Sequence, residues 1–273
     1  MRPVPLSAAT DERLFGGKAV SLGRALRAGL PVPDGLALSV PFVSDVANGH
    51  EGAVASLLSQ HHITEERVAV RSSAVGEDSS DASFAGQHAT HLNVRRHGLA
   101  EAVRAVWASG RTPGALAYRA QKGLPGNPAV AVVVQSLIEP VAAGVLFTRN
   151  PMTGADERLI EAGWGLGEAV VSGRIEPDHF RLDTAGRTLD ARPGYKDVQI
   201  LHHDHEGVVE VEVPSELREA LCLTPTQLAA LYELGERCRR EWGPALDLEW
   251  AIGRDGRCYL LQSRPITTGG TGA

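Results

Sequence analysis

Residues 245–267 read ALDLEWAIGRDGRCYLLQSRPIT. Two alternating runs, Leu246–Ile252 and Cys258–Ile266, flank Asp255-Gly256, a dipeptide that tolerates the positive φ a tight type I′ turn demands. A two-residue turn there sets Glu249 opposite Gln262 and Asp247 opposite Arg264. Side chains alternate with period two, so these four share one face. Leu248, Trp250, Ile252, Tyr259, Leu261 and Ser263 line the other face, which is mostly core material. The first face carries carboxylates, an amide oxygen and a guanidinium within about 5 Å of one another across the pair. A solvated sheet face that simply pairs opposite charges fits the same pattern. The sharper reading is a metal and phosphate site, because Mg²⁺ takes a few hard oxygen ligands beside those of a nucleotide and Arg neutralises phosphate oxygens.

The rest of the composition narrows the class. With 273 residues, 43% of them hydrophobic, the chain can bury one large or two modest cores. A net charge of -6 and the lack of any Lys/Arg block exclude a general nucleic-acid surface. Cys222, Cys238 and Cys258 have no CxxC spacing, which argues against a disulfide framework or zinc site and suits a reducing compartment. The N-terminus lacks an apolar h-region and no run approaches ~20 apolar residues, so a cytoplasmic protein without a membrane anchor is expected. The closing TTGGTGA resembles a flexible tail or linker stub, and residues 269–273 are assigned to it.

Upstream, Gly16-Gly17-Lys18 opens a helical pattern carried by Ala19, Leu22, Leu26 and Leu30. A lysine just inside a helix start opposes the helix dipole and calls for an anionic neighbour, unless it is merely solvated. The GGK is followed by Ala-Val-Ser, so it is not a Walker A loop. Val32–Val40 reads as extended, residues 43–60 as helical and Arg67–Arg71 as a short strand. Arg71 then enters RSSAVGEDSSDASFAGQ (71–87), whose low bulk and many backbone N–H groups suit a loop over phosphates as well as a plain surface loop. Leu99–Ser109 and Pro113–Lys122 look like helices. Ala129–Ile138 is a near-continuous β-branched run, a buried strand whose exit suits an adenine site beside apolar side chains.

RNPMTG (149–154) is turn chemistry between the strands Gly144–Thr148 and Arg158–Ala162. The glycine-rich 163–173 lacks GxGxxG spacing and makes no dinucleotide fold. Two hairpins follow, one around Thr184-Ala185-Gly186 and one around HHDHEG. His202, His203 and His205 in the latter could bind a metal, but a solvated loop tip accounts for them more simply. Thr224-Pro225-Thr226-Gln227 has the cap, first-turn proline and N3 glutamine of a helix start, and Gly243-Pro244 ends that helix.

Taken together these stretches resemble the ATP-binding domain of the phosphoenolpyruvate synthase and pyruvate phosphate dikinase family, which includes the rifampin phosphotransferases. The resemblance is carried by GGKAVSLG (16–23), GLPVPDG (29–35), VAVRSSAVGEDSSDASFAGQ (68–87) and AVVVQSLI (131–138). It continues through GVLFTRNPMTG (144–154), EAGWGLGEAVVSGRIEPD (161–178), DLEWAI (247–252) and LLQSRPIT (260–267), in the family's order over nearly the whole chain. It implies an α+β ATP-grasp fold whose two lobes clamp one nucleotide, here residues 1–126 and 127–268. It further implies that Lys18 and Arg71 hold the ATP phosphates under the loop ending SFAGQ. Gln135, Ser136 and Leu137 would contact adenine, Glu249 and Gln262 would ligate Mg²⁺, and Arg264 would meet the terminal phosphates, with Lys18, Arg71 and Arg264 serving catalysis. Glu168 is a further, less direct participant.

The family's dikinases add a swivelling domain with a phosphorylatable histidine in a Ser/Thr-His-Ala context. None of the ten histidines here has that context, so the expected partner is a phosphohistidine carrier on another domain or protein. The first functional expectation is therefore an ATP-dependent phosphotransferase module. A self-sufficient ATP-grasp kinase or ligase acting on a small molecule is the alternative. A non-catalytic nucleotide sensor has no need of the whole set of Lys18, Arg71, Glu249, Gln262 and Arg264.

Overall fold

In the computed structural model, which describes residues 2–60, 67–75, 90–121, 126 and 128–266, the β-branched run at 130–136 occupies the middle of a sheet rather than the start of a second lobe. The chain divides into one unit of Met1–Arg27, Pro33–Leu137 and His203–Gly207 and another of Ala28–Val32, Ile138–His202 and Val208–Ala273. The expected division after residue 126 therefore falls later, at Leu137. Val130–Ser136 is paired on both sides by strands of the first unit and cannot leave it.

The first unit contains β1 (Val4–Pro5), α1 (Glu12–Arg27), β2 (Gly35–Leu38), α2 (Val40–Ala47), α3 (Glu51–Leu58), β3 (Arg67–Ala74), β4 (Thr90–Arg95), α4 (Leu99–Ser109), α5 (Pro113–Gln121) and β5 (Val130–Ser136). Its sheet runs β1-β2-β5-β3-β4 with every neighbouring pair antiparallel. Val68, Val70, Val130, Val132 and Val134 pack with Phe42, Val46, Leu57, Val103 and Val106 from α2, α3 and α4. α1 lies against β3 and β5, so β5 is covered on both faces, which is why it reads as an unbroken apolar run. The single helical stretch expected over 43–60 is two helices, separated by a turn at Asn48-Gly49-His50. β4 was not expected from sequence. Its pairing with β3 slips at Val68/Val70, where Asn93 takes φ 58°, a left-handed conformation that Asn tolerates.

The second unit contains β6 (Pro140–Phe147), β7 (Arg158–Trp164), α6 (Glu168–Val171), β8 (Asp178–Leu182), β9 (Thr188–Arg192), β10 (Val198–His202), β11 (Val208–Glu212), α7 (Pro225–Trp242), β12 (Leu246–Gly253) and β13 (Cys258–Pro265). Its sheet runs β13-β12-β6-β7-β8-β9, all antiparallel, and β10–β11 form a separate hairpin. α7 starts as expected: Thr224 Oγ1 accepts from Gln227 N at 3.3 Å and Gln227 Oε1 accepts from Thr224 N at 2.8 Å. The α+β architecture expected from sequence is what the chain adopts.

One buried ion pair ties the second unit together. Lys196 Nζ bonds Asp178 Oδ1, and both side chains are fully buried. Asp178 also accepts from Gly194 N at 2.9 Å and Cys222 N at 2.7 Å, so the carboxylate joins three separate stretches of chain. No helix among the described residues is long and apolar enough to cross a membrane.

Candidate functional site

On the second unit's sheet, β12 and β13 place Glu249 opposite Gln262 and Asp247 opposite Arg264, as the hairpin reading expected. The route to that register differs. The loop holds three residues, with Gly253 N donating to Arg257 O at 2.9 Å and Gly256 at φ 77°. A three-residue loop shifts every pair by one, and Ile252 accordingly faces Cys258. A bulge in β13 beside Glu249/Trp250 then restores the register at Gln262. The bulge also corrects the core assignment, because Leu260, not Leu261, lies opposite Trp250 and is fully buried with it.

This face is chemically unusual at Asp247. Its Oδ2 accepts from Arg264 Nε at 2.8 Å and lies 2.7 Å from Arg264 Nη2, while its buried Oδ1 has no hydrogen-bond partner. Burial pushes the Asp247 carboxyl above its usual range and the Glu249 charge adds to that, against the pull of Arg264. An unsatisfied buried carboxylate oxygen is costly, and a cation beside Glu249 would satisfy it. The donors present, two carboxylates and the Gln262 amide oxygen, are the hard oxygen set Mg²⁺ prefers. No group of three or more His, Cys, Asp or Glu arranged for a metal occurs among the described residues.

In the first unit, α1 is broken at Gly16, whose φ of 75° and ψ of 166° are non-helical. A Cβ built on Gly16 would lie 2.0 Å from the Ser73 carbonyl oxygen, so the chain meets β3 there without room for a side chain. Ser73 Oγ donates to Phe15 O at 2.7 Å and accepts from Ala19 N at 2.9 Å, capping the restarted helix from across the sheet. Lys18 sits in that first turn, only 6% exposed. Arg71 is two residues before Ser73 on β3 and shares its face. Gln135, opposite Ala69, is on that face too. The segment ending SFAGQ lies outside the described residues.

Gly16→Ala is expected to destabilise this junction by about 3 kcal/mol or more, since it adds left-handed strain to a backbone clash. A denaturation midpoint within error of the wild type would refute this.

The adenine stretch is more committed than the sequence suggested. Gln135 is buried and its Nε2 donates to Pro33 O at 3.1 Å. Ser136 N donates to Asp34 O at 2.8 Å and Leu137 N to Arg67 O at 3.3 Å. The backbone N–H groups of Ser136 and Leu137 are therefore taken, and base contacts there would fall to carbonyl oxygens and side-chain atoms. Glu168 is the first residue of the short α6, after a loop pinned by Leu166 N to Ile200 O at 2.9 Å. The HHDHEG turn is held through its backbone carbonyls. Asn93 Nδ2 donates to His203 O at 2.6 Å and Gly207 O at 2.9 Å, and Arg67 Nη2 to Asp204 O at 2.7 Å.

Sequence reading missed Arg111 and Arg119. Arg119 is 6% exposed, and burial lowers its pKa. Arg111 stacks 3.6 Å over the Trp107 ring and is lowered by burial and by the Arg119 charge. Arg119 is thus buried beside the partly buried Arg111. The available signal was Arg119 four residues after Ala115, on the helix face that Ala115 buries.

The sequence profile described as "Pyruvate phosphate dikinase, AMP/ATP-binding domain" matches residues 36–273. The chain belongs to this family. As a member of the dikinase AMP/ATP-binding family, it is 36% identical to a probable phosphoenolpyruvate synthase of Methanothermobacter thermautotrophicus, covering 94% of this chain and 44% of that protein. It is 38% identical to the rifampicin phosphotransferase of Bacillus subtilis over 85% of this chain and 26% of that protein. The chain thus spans less than half the length of these relatives. Among solved structures, a biotin carboxylase–nucleotide complex from Campylobacter jejuni is 12% identical with a TM-score of 0.41, covering 92% of this chain and 40% of that one.

Proposed function

We propose that this chain is the nucleotide half of an ATP-dependent phosphotransferase of the phosphoenolpyruvate synthase type, working with a histidine carrier. The observation that carries the reading is the one-face set Asp247, Glu249, Gln262 and Arg264, with a buried Asp247 carboxylate oxygen that has no hydrogen-bond partner. Relatives named as phosphoenolpyruvate synthases and a rifampicin phosphotransferase support it. In this reading Glu249, Gln262 and Asp247 hold Mg²⁺, which when bound neutralises phosphate charge. Arg264, held by Asp247, presents its guanidinium to the terminal phosphates. In the first unit, Lys18 and Arg71 hold phosphate oxygens and Gln135–Leu137 supply contacts to adenine. These residues position and neutralise, which is most of what phosphoryl transfer asks of a protein.

Carrier dependence tests the reading. The chain alone is expected to bind Mg–ATP and consume it slowly, because water is a poor substitute for an in-line histidine. Adding the cognate histidine protein should accelerate consumption and leave AMP and inorganic phosphate, with one phosphoryl group on the carrier histidine and water taking the other, read by resolving nucleotides and by mass spectrometry. Fast turnover with a small-molecule acceptor and no second protein would favour a self-sufficient kinase or ligase instead.

A further inference from the structure

The ladders of the second unit place six residues in one row across its sheet. Gln262 pairs with Glu249, Glu249 with Val145, Val145 with Glu161, Glu161 with His179 and His179 with Arg192. Paired residues present their side chains to the same face, so Glu161 and His179 continue the face that carries the proposed metal ligands. The opposite face holds Leu146, Ile160, Ala162, Phe180 and Leu248, all buried, and is core. Glu161 also begins the glycine-rich stretch 161–178, to which nothing above gives it a role.

His179 Nδ1 lies 3.5 Å from Glu161 Oε1, with the two side chains 49% and 37% exposed. The remaining charges at that end of the face are engaged: Arg181 Nη2 donates to Glu157 Oε2 at 2.9 Å and Arg192 Nε to Asp190 Oδ2 at 2.7 Å. Turning Nδ1 toward the carboxylate directs Nε2 and the second carboxylate oxygen outward. Between this pair and Glu249 lies Val145, 9% exposed, a small apolar floor. Two strand spacings separate Glu161 from Glu249, about 10 Å.

We infer that Glu161 and His179 form the sugar subsite of the bound nucleotide, with Glu161 accepting hydrogen bonds from the ribose 2′,3′-diol. This rests on the nucleotide reading above and extends it to an orientation, phosphates over β12–β13 and sugar over β7–β8. Charge decides the ligand class. Glu161 repels a phosphate group, and one carboxylate already shared with an imidazole is a poor cation cage. A neutral hydroxyl-bearing group satisfies both outward acceptors, and a carboxylate receiving a ribose diol is a recurrent solution in nucleotide sites.

The test is calorimetric titration of the full chain with Mg–ATP and Mg–2′,3′-dideoxy-ATP. The wild type should bind ATP about tenfold more tightly than the dideoxy nucleotide, the size of one hydrogen bond to a charged group. Glu161→Ala should erase that preference by weakening ATP alone, and His179→Phe should reduce it. Both positions are half exposed, and circular dichroism checks their folding. The subsite is overturned if Glu161→Ala keeps the full preference, if it weakens both nucleotides equally, or if the wild type binds them equally well. Binding of neither nucleotide by the wild type would instead overturn the nucleotide reading itself, and the subsite with it.

Discussion

Glu249→Gln is expected to lower ATP turnover about 100-fold or more while leaving the fold intact. Removing one carboxylate from a cation–phosphate site loses several kcal/mol of charge stabilisation in the transition state, and each ~1.4 kcal/mol is a factor of ten in rate. The substitution keeps the side chain's length and its place opposite Gln262 and Val145, so packing of the β12–β13 hairpin should not change. It also removes one of the causes raising the Asp247 carboxyl. Nucleotide binding should persist with a weaker dependence on magnesium. Turnover in the presence of the histidine carrier, with magnesium saturating, is the measurement. Wild-type rates there would remove Glu249 from the metal site.

Much of that site was legible because a hairpin is a local object. Glu249 and Gln262 lie 13 positions apart and meet through one turn, so period-two alternation and a turn signal suffice to pair them. The pairing came out right through two departures that cancel, a three-residue loop and a bulge on β13. Neither is visible in sequence, because Asp-Gly suits two- and three-residue loops and Leu260-Leu261 offers the same side chain in either register. The bulge mattered for the core, where it decided which leucine is buried.

Features that depend on distant chain were less legible. Ser73 caps the helix bearing Lys18 from 54 positions away, and nothing local to either residue announces it. β4 escaped notice because it follows a Ser- and Gly-rich stretch and is bent at Asn93. Arg119 was hidden for a different reason. A single arginine in a short helix looks solvated until burial is known. Asp247 was placed opposite Arg264 from sequence, but its unsatisfied oxygen required coordinates.

The largest stability effect is expected at the other buried carboxylate. Lys196→Met should destabilise the second unit by about 3–5 kcal/mol, because removing one partner of a buried pair leaves the other's charge without compensation. Asp178 keeps two backbone donors, Gly194 N and Cys222 N, but these do not neutralise it. The carboxylate holds the start of β8 to the segments around Gly194 and Cys222, so the loss should be felt as loosening of those segments. Asp178→Asn alone should also be costly, since it leaves the Lys196 ammonium buried without a counter-charge and puts an NH2 donor where one carboxylate oxygen accepts. The double variant is expected to recover part of the loss, a coupling that distinguishes a charge effect from simple disruption of packing. Urea denaturation of the wild type, both single variants and the double variant completes the cycle. A Lys196→Met variant within about 1 kcal/mol of wild type would mean that the pair contributes little beyond its backbone hydrogen bonds.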